Sequence, residues 1–248
     1  MGGIVIPLNA FEARKVKEKG QCFFVQKLRG MGVWGVEIRR ELLTQHDYPL
    51  ARLKKVAEQE GVVLVYSSPS PLWTENGQLN QELDLVIKEA EMLGAIFIKV
   101  PLGHYDPFVS KISDLAFWVE KINEPAQLLI ENDQTFHGGT IGSLHRFFRD
   151  VRECRLPVYM TFDIGNWKCC GENLMDALSH FHSFVRYIHL KHVERHKGEW
   201  RTVPLTQENA KEWKNILSVF PSNLPIALEF PINGVESIPY YVRLLQAT

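Results

Sequence analysis

The segment NQELDLVIKEAEMLGAIFIKV, residues 80–100, places a predicted helix directly before a predicted strand. Its first part carries an apolar stripe at helical spacing, formed by Leu83, Val86, Ile87, Ala90 and Leu93. Gly94 is typical of a helix end, and the apolar run AIFIKV after it predicts a buried strand. A helix that leads straight into a buried strand indicates an α/β protein with a parallel sheet.

Short apolar runs of this kind recur eight times along the chain, and their first residues lie 28 to 39 positions apart. The runs are IVIPL from 4, WGVEI from 34, VVLVYS from 62, AIFIKV from 95, QLLIEND from 127, VYMTFD from 158, YIHLKH from 187 and IALEF from 226. Helical patterns fill the intervals, at 21–31, 48–61, 80–94, 107–122, 141–153, 172–184, 207–219 and 235–247. A polar loop is expected between the first run and the first of these helices.

The number and spacing of these units predict the architecture. Eight strand–helix units in 248 residues predict a single-domain (β/α)8 TIM barrel that spans residues 1–248. A doubly wound open sheet is the alternative, but such a sheet usually carries a glycine-rich phosphate turn after an early strand. G-x-x-x-x-G-K-[ST] does not occur in the sequence, and the one G-x-G-x-x-G match, GMGVWG at 30–35, leads into a predicted strand instead of following one, which favours the barrel.

Composition argues against several classes of partner and location. The formal net charge is −1, so no basic excess indicates a nucleic-acid partner. No apolar run approaches the roughly 18 residues of a membrane span, and the amino-terminal stretch lacks the pattern of a signal peptide. Four cysteines occur without any C-x-x-C pair: Cys22, Cys154, Cys169 and Cys170. We therefore expect reduced thiols in a cytoplasmic protein.

Polar side chains follow the predicted strands at the end that forms the active face of such barrels. They are Glu37, Lys99, Glu131, Asp163, His189, Lys191 and Glu229. Each has an ordinary alternative: a strand-end glutamate is often solvated, a lone histidine often lies in the core, and the Asp163–Gly165 stretch favours a turn. Four consecutive strands nevertheless present Glu, Asp, His and Glu towards one mouth, which an accidental arrangement does not explain.

Three carboxylates in one barrel mouth repel one another, and each loses hydration. A divalent cation removes that conflict. Carboxylate oxygens with one imidazole suit Mn²⁺, Mg²⁺ or Co²⁺, and Zn²⁺ is also compatible. The pattern therefore predicts one divalent metal ion, with Mn²⁺ as the first expectation.

The chain resembles the sugar-phosphate isomerase/epimerase-like family of the xylose isomerase-like TIM-barrel superfamily. The matching segments are GVEIRREL at 35–42, LLIENDQT at 128–135, TFDIGNW at 161–167, YIHLKHV at 187–193 and IALEF at 226–230. GEWRTVPL at 198–205 is similar to the loop that these proteins carry after the seventh strand. Each motif is short, but their order and their placement on the strands make the set specific.

The resemblance implies a metal centre and a reaction. By resemblance the metal ligands are Glu131, Asp163, His189 and Glu229, and the two glutamates exchange a proton beside a substrate carbonyl through an enediolate. The resemblance further implies a small-molecule sugar or sugar phosphate as substrate, and Arg195, six residues after His189, as a contact for it.

Further substrate contacts are expected from Glu37, Lys99 and Lys191, although Lys191 could instead form a structural ion pair. Asn166 stands where the epimerases carry the histidine of D-x-x-H. An amide can contact a hydroxyl but cannot carry a proton at neutral pH.

Other functions remain open at this level. An inosose-type dehydratase would use the same metal site and the same proton abstraction, and a non-catalytic sugar-binding barrel is less favoured because it has no need of two opposed carboxylates. A three-zinc DNA-repair endonuclease would need further ligands, yet the third strand ends in Tyr66, Ser67 and Ser68. A homodimer is expected from the resemblance alone, since no motif specifies assembly.

Overall fold

Eight parallel strands close into a barrel in the computed structural model, which describes residues 2–246. The barrel strands are β1 (Ile4–Pro7), β2 (Gly35–Arg39), β3 (Val63–Ser67), β4 (Phe97–Pro101), β5 (Gln127–Glu131), β6 (Val158–Asp163), β7 (Val185–Leu190) and β10 (Ile226–Leu228). Around the barrel these strands follow the order β1, β10, β7, β6, β5, β4, β3 and β2. Each begins within two residues of its predicted start, and the predicted single-domain (β/α)8 barrel is confirmed.

Helices surround the barrel, and eight of them occupy the predicted intervals. The helices are α1 (Ala13–Lys19), α2 (Gln21–Lys27), α3 (Leu50–Glu60), α4 (Leu83–Leu93), α5 (Ile112–Val119), α6 (Ile141–Glu153), α7 (Ile164–Cys169), α8 (Leu174–Phe181), α9 (Ala210–Leu217) and α10 (Ile238–Gln246). Gly61 and Gly94 end α3 and α4 in the left-handed conformation that glycine adopts without strain. Residue 247, the last of the final predicted helix, lies outside the described residues.

Two helices and one hairpin were not predicted. Helix α1 replaces part of the expected polar loop, and only Val16 of its seven residues is buried, so the sequence shows no apolar stripe there. Helix α7 starts directly after β6, where a tight turn was expected. Strands β8 (His192–His196) and β9 (Glu199–Val203) form an antiparallel hairpin that leaves the barrel after β7.

The barrel interior is divided into an apolar layer and a polar layer. A small cluster of buried apolar side chains fills the lower layer: Val5, Val65, Leu129, Tyr187 and Ala227. Because side chains alternate along a strand, the residue two positions further on faces the same interior. That next position is Glu131 after Leu129, His189 after Tyr187 and Glu229 after Ala227. The apolar layer is thus the floor on which the polar strand ends stand.

Within residues 2–246, no helix combines the length and the apolar character that a membrane crossing requires.

Candidate metal centre

Four side chains from four neighbouring barrel strands meet at the carboxyl end of the barrel. Glu131 ends β5, Asp163 ends β6, His189 lies in β7 and Glu229 follows β10. One ligand atom from each of these residues lies within 4.8 Å of the corresponding atom of every other. The barrel therefore brings together the four residues that the sequence placed in a metal centre.

The two oxygens of Asp163 have different surroundings. Oδ1 accepts a hydrogen bond of 2.9 Å from the backbone N–H of Asn166 and so caps the start of α7. Oδ2 is buried and accepts no hydrogen bond, although the ammonium of Lys191 lies 3.1 Å away. One oxygen thus performs a local structural task, while the other faces the centre.

His189 is fully buried and presents its two ring nitrogens to opposite sides. Nδ1 lies 3.1 Å from Glu229 Oε2, 3.2 Å from Glu131 Oε1 and 4.0 Å from Asp163 Oδ2. Nε2 lies 2.9 Å from Oε2 of Glu37, which reaches it from β2 across the barrel. A ligating histidine commonly contacts a carboxylate through its second nitrogen, and Glu37 occupies that position here.

Glu37 was predicted to contact substrate, but it is fully buried and its oxygens contact groups of the protein. Oε2 also accepts a hydrogen bond from the hydroxyl of Tyr187, at 2.9 Å. Oε1 accepts one from Arg39 at 2.7 Å and lies 3.4 Å from the ammonium of Lys99. Burial opposes ionisation of Glu37, but these cations and His189 outweigh it and hold its pKa well below the ordinary value.

Two lysines contact the carboxylates of the centre. Lys99 donates to both oxygens of Glu131, at 2.8 Å each, and its side chain is almost completely buried. Lys191 lies 2.8 Å from Glu229 Oε2 and 3.1 Å from Asp163 Oδ2. The predicted lysines are therefore at the site, and each forms ion pairs there.

Asn166 lies beside the centre, and the protein satisfies its amide. Its Oδ1 accepts hydrogen bonds from Gln134, at 2.9 Å, and from Lys191, at 3.2 Å. Its Nδ2 donates to the backbone carbonyl of Asn132 at 2.8 Å. In this arrangement Asn166 orients Lys191 and joins α7 to the end of β5.

Arg195 is not brought to the four-residue centre. It lies on the exposed hairpin β8–β9, opposite Trp200, and its guanidinium lies over the indole ring at 5.2 Å. Its predicted contact with substrate stays a prediction.

Sequence reasoning did not identify Asn9, Arg39, Asn132 or Tyr187 as part of the site. Arg39 and Tyr187 had a signal, since each lies two positions from a predicted site residue and therefore faces the same interior. Asn9 donates to Glu229 Oε1 at 2.9 Å from the short 3-10 helix after β1, and no local pattern indicates this contact.

Burial and the neighbouring charges shift the pKa values of three residues of the centre. Burial raises the pKa of Asp163 to about 7; Lys191 and His189 lower this pKa, whereas the charges of Glu229 and Glu131 raise it further. Burial and Lys99 lower the pKa of His189, but the surrounding carboxylates outweigh both and raise it to about 9. The pKa of Glu229 lies well below its ordinary value, since Lys191 and His189 outweigh its burial.

The donor set fits a divalent cation. Three carboxylates and one imidazole converge, and Asp163 Oδ2 is a buried acceptor without a hydrogen-bond donor. A buried charged oxygen without such a partner is costly, and coordination to a cation would satisfy it. Oxygen ligands with one nitrogen are the set that Mn²⁺, Mg²⁺ and related ions accept.

The sequence matches no family profile and no curated protein, whereas solved structures match the fold over almost the whole chain. A xylose isomerase domain-containing protein from Salmonella typhimurium LT2 has a TM-score of 0.75 at 14% identity, over 98% of this chain and 96% of its own. An L-ribulose 3-epimerase has a TM-score of 0.69 at 13% identity, over 100% and 94%. An AP endonuclease of family 2 from Brucella melitensis has a TM-score of 0.66 at 14% identity, over 98% and 98%.

These similarities confirm the predicted (β/α)8 TIM-barrel fold, and the matched structures include a xylose isomerase domain-containing protein. At such low identities they show the fold alone, and the matched proteins include both an epimerase and an endonuclease. The choice between reactions has to come from the side chains of this chain.

Proposed function

We propose that this protein is a divalent-metal-dependent isomerase or epimerase of a sugar or sugar phosphate. The observation that carries the proposal is the convergence of Glu131, Asp163, His189 and Glu229, whose donor atoms lie within 4.8 Å of one another at the active face of the barrel. The similarity in fold to an L-ribulose 3-epimerase is consistent with it.

The same four residues would hold one divalent ion, with Mn²⁺ proposed first and Mg²⁺, Co²⁺ or Zn²⁺ as alternatives. Such an ion supplies Lewis-acid stabilisation of the negative charge that develops on a substrate carbonyl oxygen. Glu37 would fix the ring of His189 through Nε2, so that Nδ1 points into the centre.

Glu131 and Glu229 are the proposed proton-transfer groups. One carboxylate removes the proton next to the carbonyl, and the other returns a proton to the enediolate from the opposite face, which inverts that carbon. Lys99 holds Glu131 through both oxygens, and Asn9 holds Oε1 of Glu229. These contacts limit the motion of the two acids, as positioned proton transfer requires.

The substrate-binding role is proposed for Lys99, Lys191 and Arg195. The polar atoms of Glu37 and Asn166 are hydrogen-bonded within the protein. Glu37 is proposed to position His189, and Asn166 is proposed to position Lys191. A cytoplasmic location and a homodimer stay predictions.

The test has two stages: elemental analysis of the purified protein, then a screen of ketoses and ketose phosphates for deuterium uptake from D₂O. We expect a stoichiometric divalent metal and deuterium at the carbon next to the carbonyl of a responsive substrate. Glu131→Gln and Glu229→Gln should each abolish the inversion of that carbon, since a neutral amide cannot take part in the two-carboxylate proton transfer. Glu120→Gln, which changes an exposed glutamate, is the matched control.

The outcomes separate the alternatives. A product that has lost one water would identify the dehydratase reaction on the same site. A non-catalytic binder would bind the sugar both as the wild type and as Glu131→Gln, and neither protein would promote deuterium exchange. Absence of both metal and exchange would refute the proposed function.

A further inference from the structure

The ammonium of Lys191 lies inside the proposed centre. Its Nζ is 2.8 Å from Oε2 of Glu229, 3.1 Å from Oδ2 of Asp163 and 3.2 Å from Oδ1 of Asn166. Two of these three oxygens belong to proposed metal ligands. The third belongs to a neutral amide at the edge of the centre.

The fold makes specific room for this lysine. A Cβ added at Gly165 would lie 2.8 Å from Cγ and 2.9 Å from Cδ of Lys191, and 2.9 Å from its carbonyl oxygen. Contacts that short do not occur between ordinary side chains, so an alanine at position 165 would displace the lysine or the strand end. Gln134, which also donates to Asn166 Oδ1, fixes the amide that receives the ammonium. Lys191 is therefore held in the centre by its neighbours.

Two cations that bind the same carboxylate oxygens repel each other, so each binds more weakly than it would alone. An ion held by the four residues would need Asp163 Oδ2, which accepts no hydrogen bond from the described residues, and would repel an ammonium about 3 Å from that oxygen. Asn166 Oδ1 is not one of the four ligands and would still be available to the ammonium. When Lys191 leaves the carboxylates, its ammonium can therefore still donate a hydrogen bond to Asn166 Oδ1.

We propose that Lys191 is an internal competitor of the metal ion. Its ammonium neutralises Asp163 and Glu229 and thereby lowers the affinity of the centre for a divalent cation. Asn166 retains the displaced ammonium beside the ion. The inference rests on the proposed function only in taking the four residues as a metal centre, and it does not depend on which reaction occurs there.

The test is calorimetric titration of Mn²⁺ into chelator-treated protein, with no substrate present. Lys191→Met removes the charge and keeps an unbranched side chain, so we expect Mn²⁺ to bind about tenfold or more tightly than to the wild type. Lys168→Met is the matched control, because Lys168 lies on the adjacent helix α7 and pairs with Glu212 outside the centre. Its affinity for Mn²⁺ should equal that of the wild type.

Two further variants keep the test decisive if Lys191→Met folds poorly. Lys191→Gln also removes the charge and should bind Mn²⁺ more tightly, whereas Lys191→Arg keeps the charge and should stay near the wild-type affinity. Equal or weaker binding by the two neutral variants would overturn the inference, as would absence of Mn²⁺ binding from all of them. Wild-type protein that binds Mn²⁺ but shows no deuterium exchange would refute the proposed reaction and leave the competition intact.

Discussion

At the residue scale, Asp163 shows why two interpretations of one residue can both hold. The sequence suggested either a local turn or a metal ligand. Oδ1 caps α7 through the N–H of Asn166, and Oδ2 faces the centre without a hydrogen bond. A carboxylate has two oxygens, so a local structural role does not exclude a functional one.

Asn166 shows the opposite case at the same scale. The resemblance to the epimerases implied a substrate contact, because those enzymes carry a histidine at this position. The structure surrounds its amide with Gln134, Lys191 and the carbonyl of Asn132. Side-chain type could be read from the sequence, but the direction in which each amide atom points depends on three other segments.

The effect of Glu37 on the metal can be measured directly. Glu37→Gln removes the negative charge 2.9 Å from Nε2 of His189. We expect the affinity for Mn²⁺ to fall about 10- to 100-fold. The reason is that the Glu37 carboxylate both orients the imidazole ring and makes it a more basic ligand, and the variant loses both effects. Calorimetric titration measures this change.

Glu41→Gln is the matched control for Glu37→Gln. Glu41 also pairs with Arg39, at 2.8 Å, but it has no contact with the histidine. Equal affinities of the wild type and Glu37→Gln for Mn²⁺ would show that Glu37 does not support the metal ligand.

At the scale of single elements, helices with a local signal were predicted well. Helix α6 runs from Ile141 to Glu153, as predicted, with Leu144, Phe147, Phe148 and Val151 buried along one side. Thr140 caps its start, since its side chain accepts a hydrogen bond from the N–H of Ser143. Helix α1 and the hairpin β8–β9 have no such apolar pattern. Their formation therefore depends on packing against the rest of the protein and on the barrel elements that they connect.

Thr140→Ala tests the cap of α6. Loss of the side-chain acceptor should lower the free energy of unfolding by about 1 kcal/mol. Urea denaturation of the purified protein measures it. Thr140→Ser retains the hydroxyl and should stay within a few tenths of a kcal/mol of the wild type, roughly the difference between these two capping residues. A Thr140→Ala protein as stable as the wild type would exclude a stabilising cap.

At the scale of the whole molecule, closure of the barrel creates the floor of the site. Leu129 is completely buried in the interior layer with Val5, Val65, Tyr187 and Ala227. These residues come from five strands that are distant in sequence and meet only when the sheet closes. The strand pattern predicted that each would be buried, but not which would be neighbours.

Leu129→Ala tests this floor. The cavity should lower the free energy of unfolding by about 2–5 kcal/mol, because the closed barrel cannot collapse around it. Leu85→Ala is the matched control, since Leu85 is 48% exposed on α4 and its loss should change stability by about 0.5 kcal/mol or less. Urea denaturation compares the two variants, and similar losses of stability would contradict an interior role for Leu129.

Local patterns in the sequence predict the barrel, the approximate starts of its strands and the four polar residues at its mouth. Each of these follows from periodicity along the chain: alternation within a strand, and one strand–helix unit about every 30 residues. The contact of Glu37 with His189, the position of Lys191 between Asp163 and Glu229, and the hairpin that carries Arg195 become visible only in the folded protein. Contacts across the barrel depend on how the sheet closes and how its strands are staggered, and no local pattern encodes either.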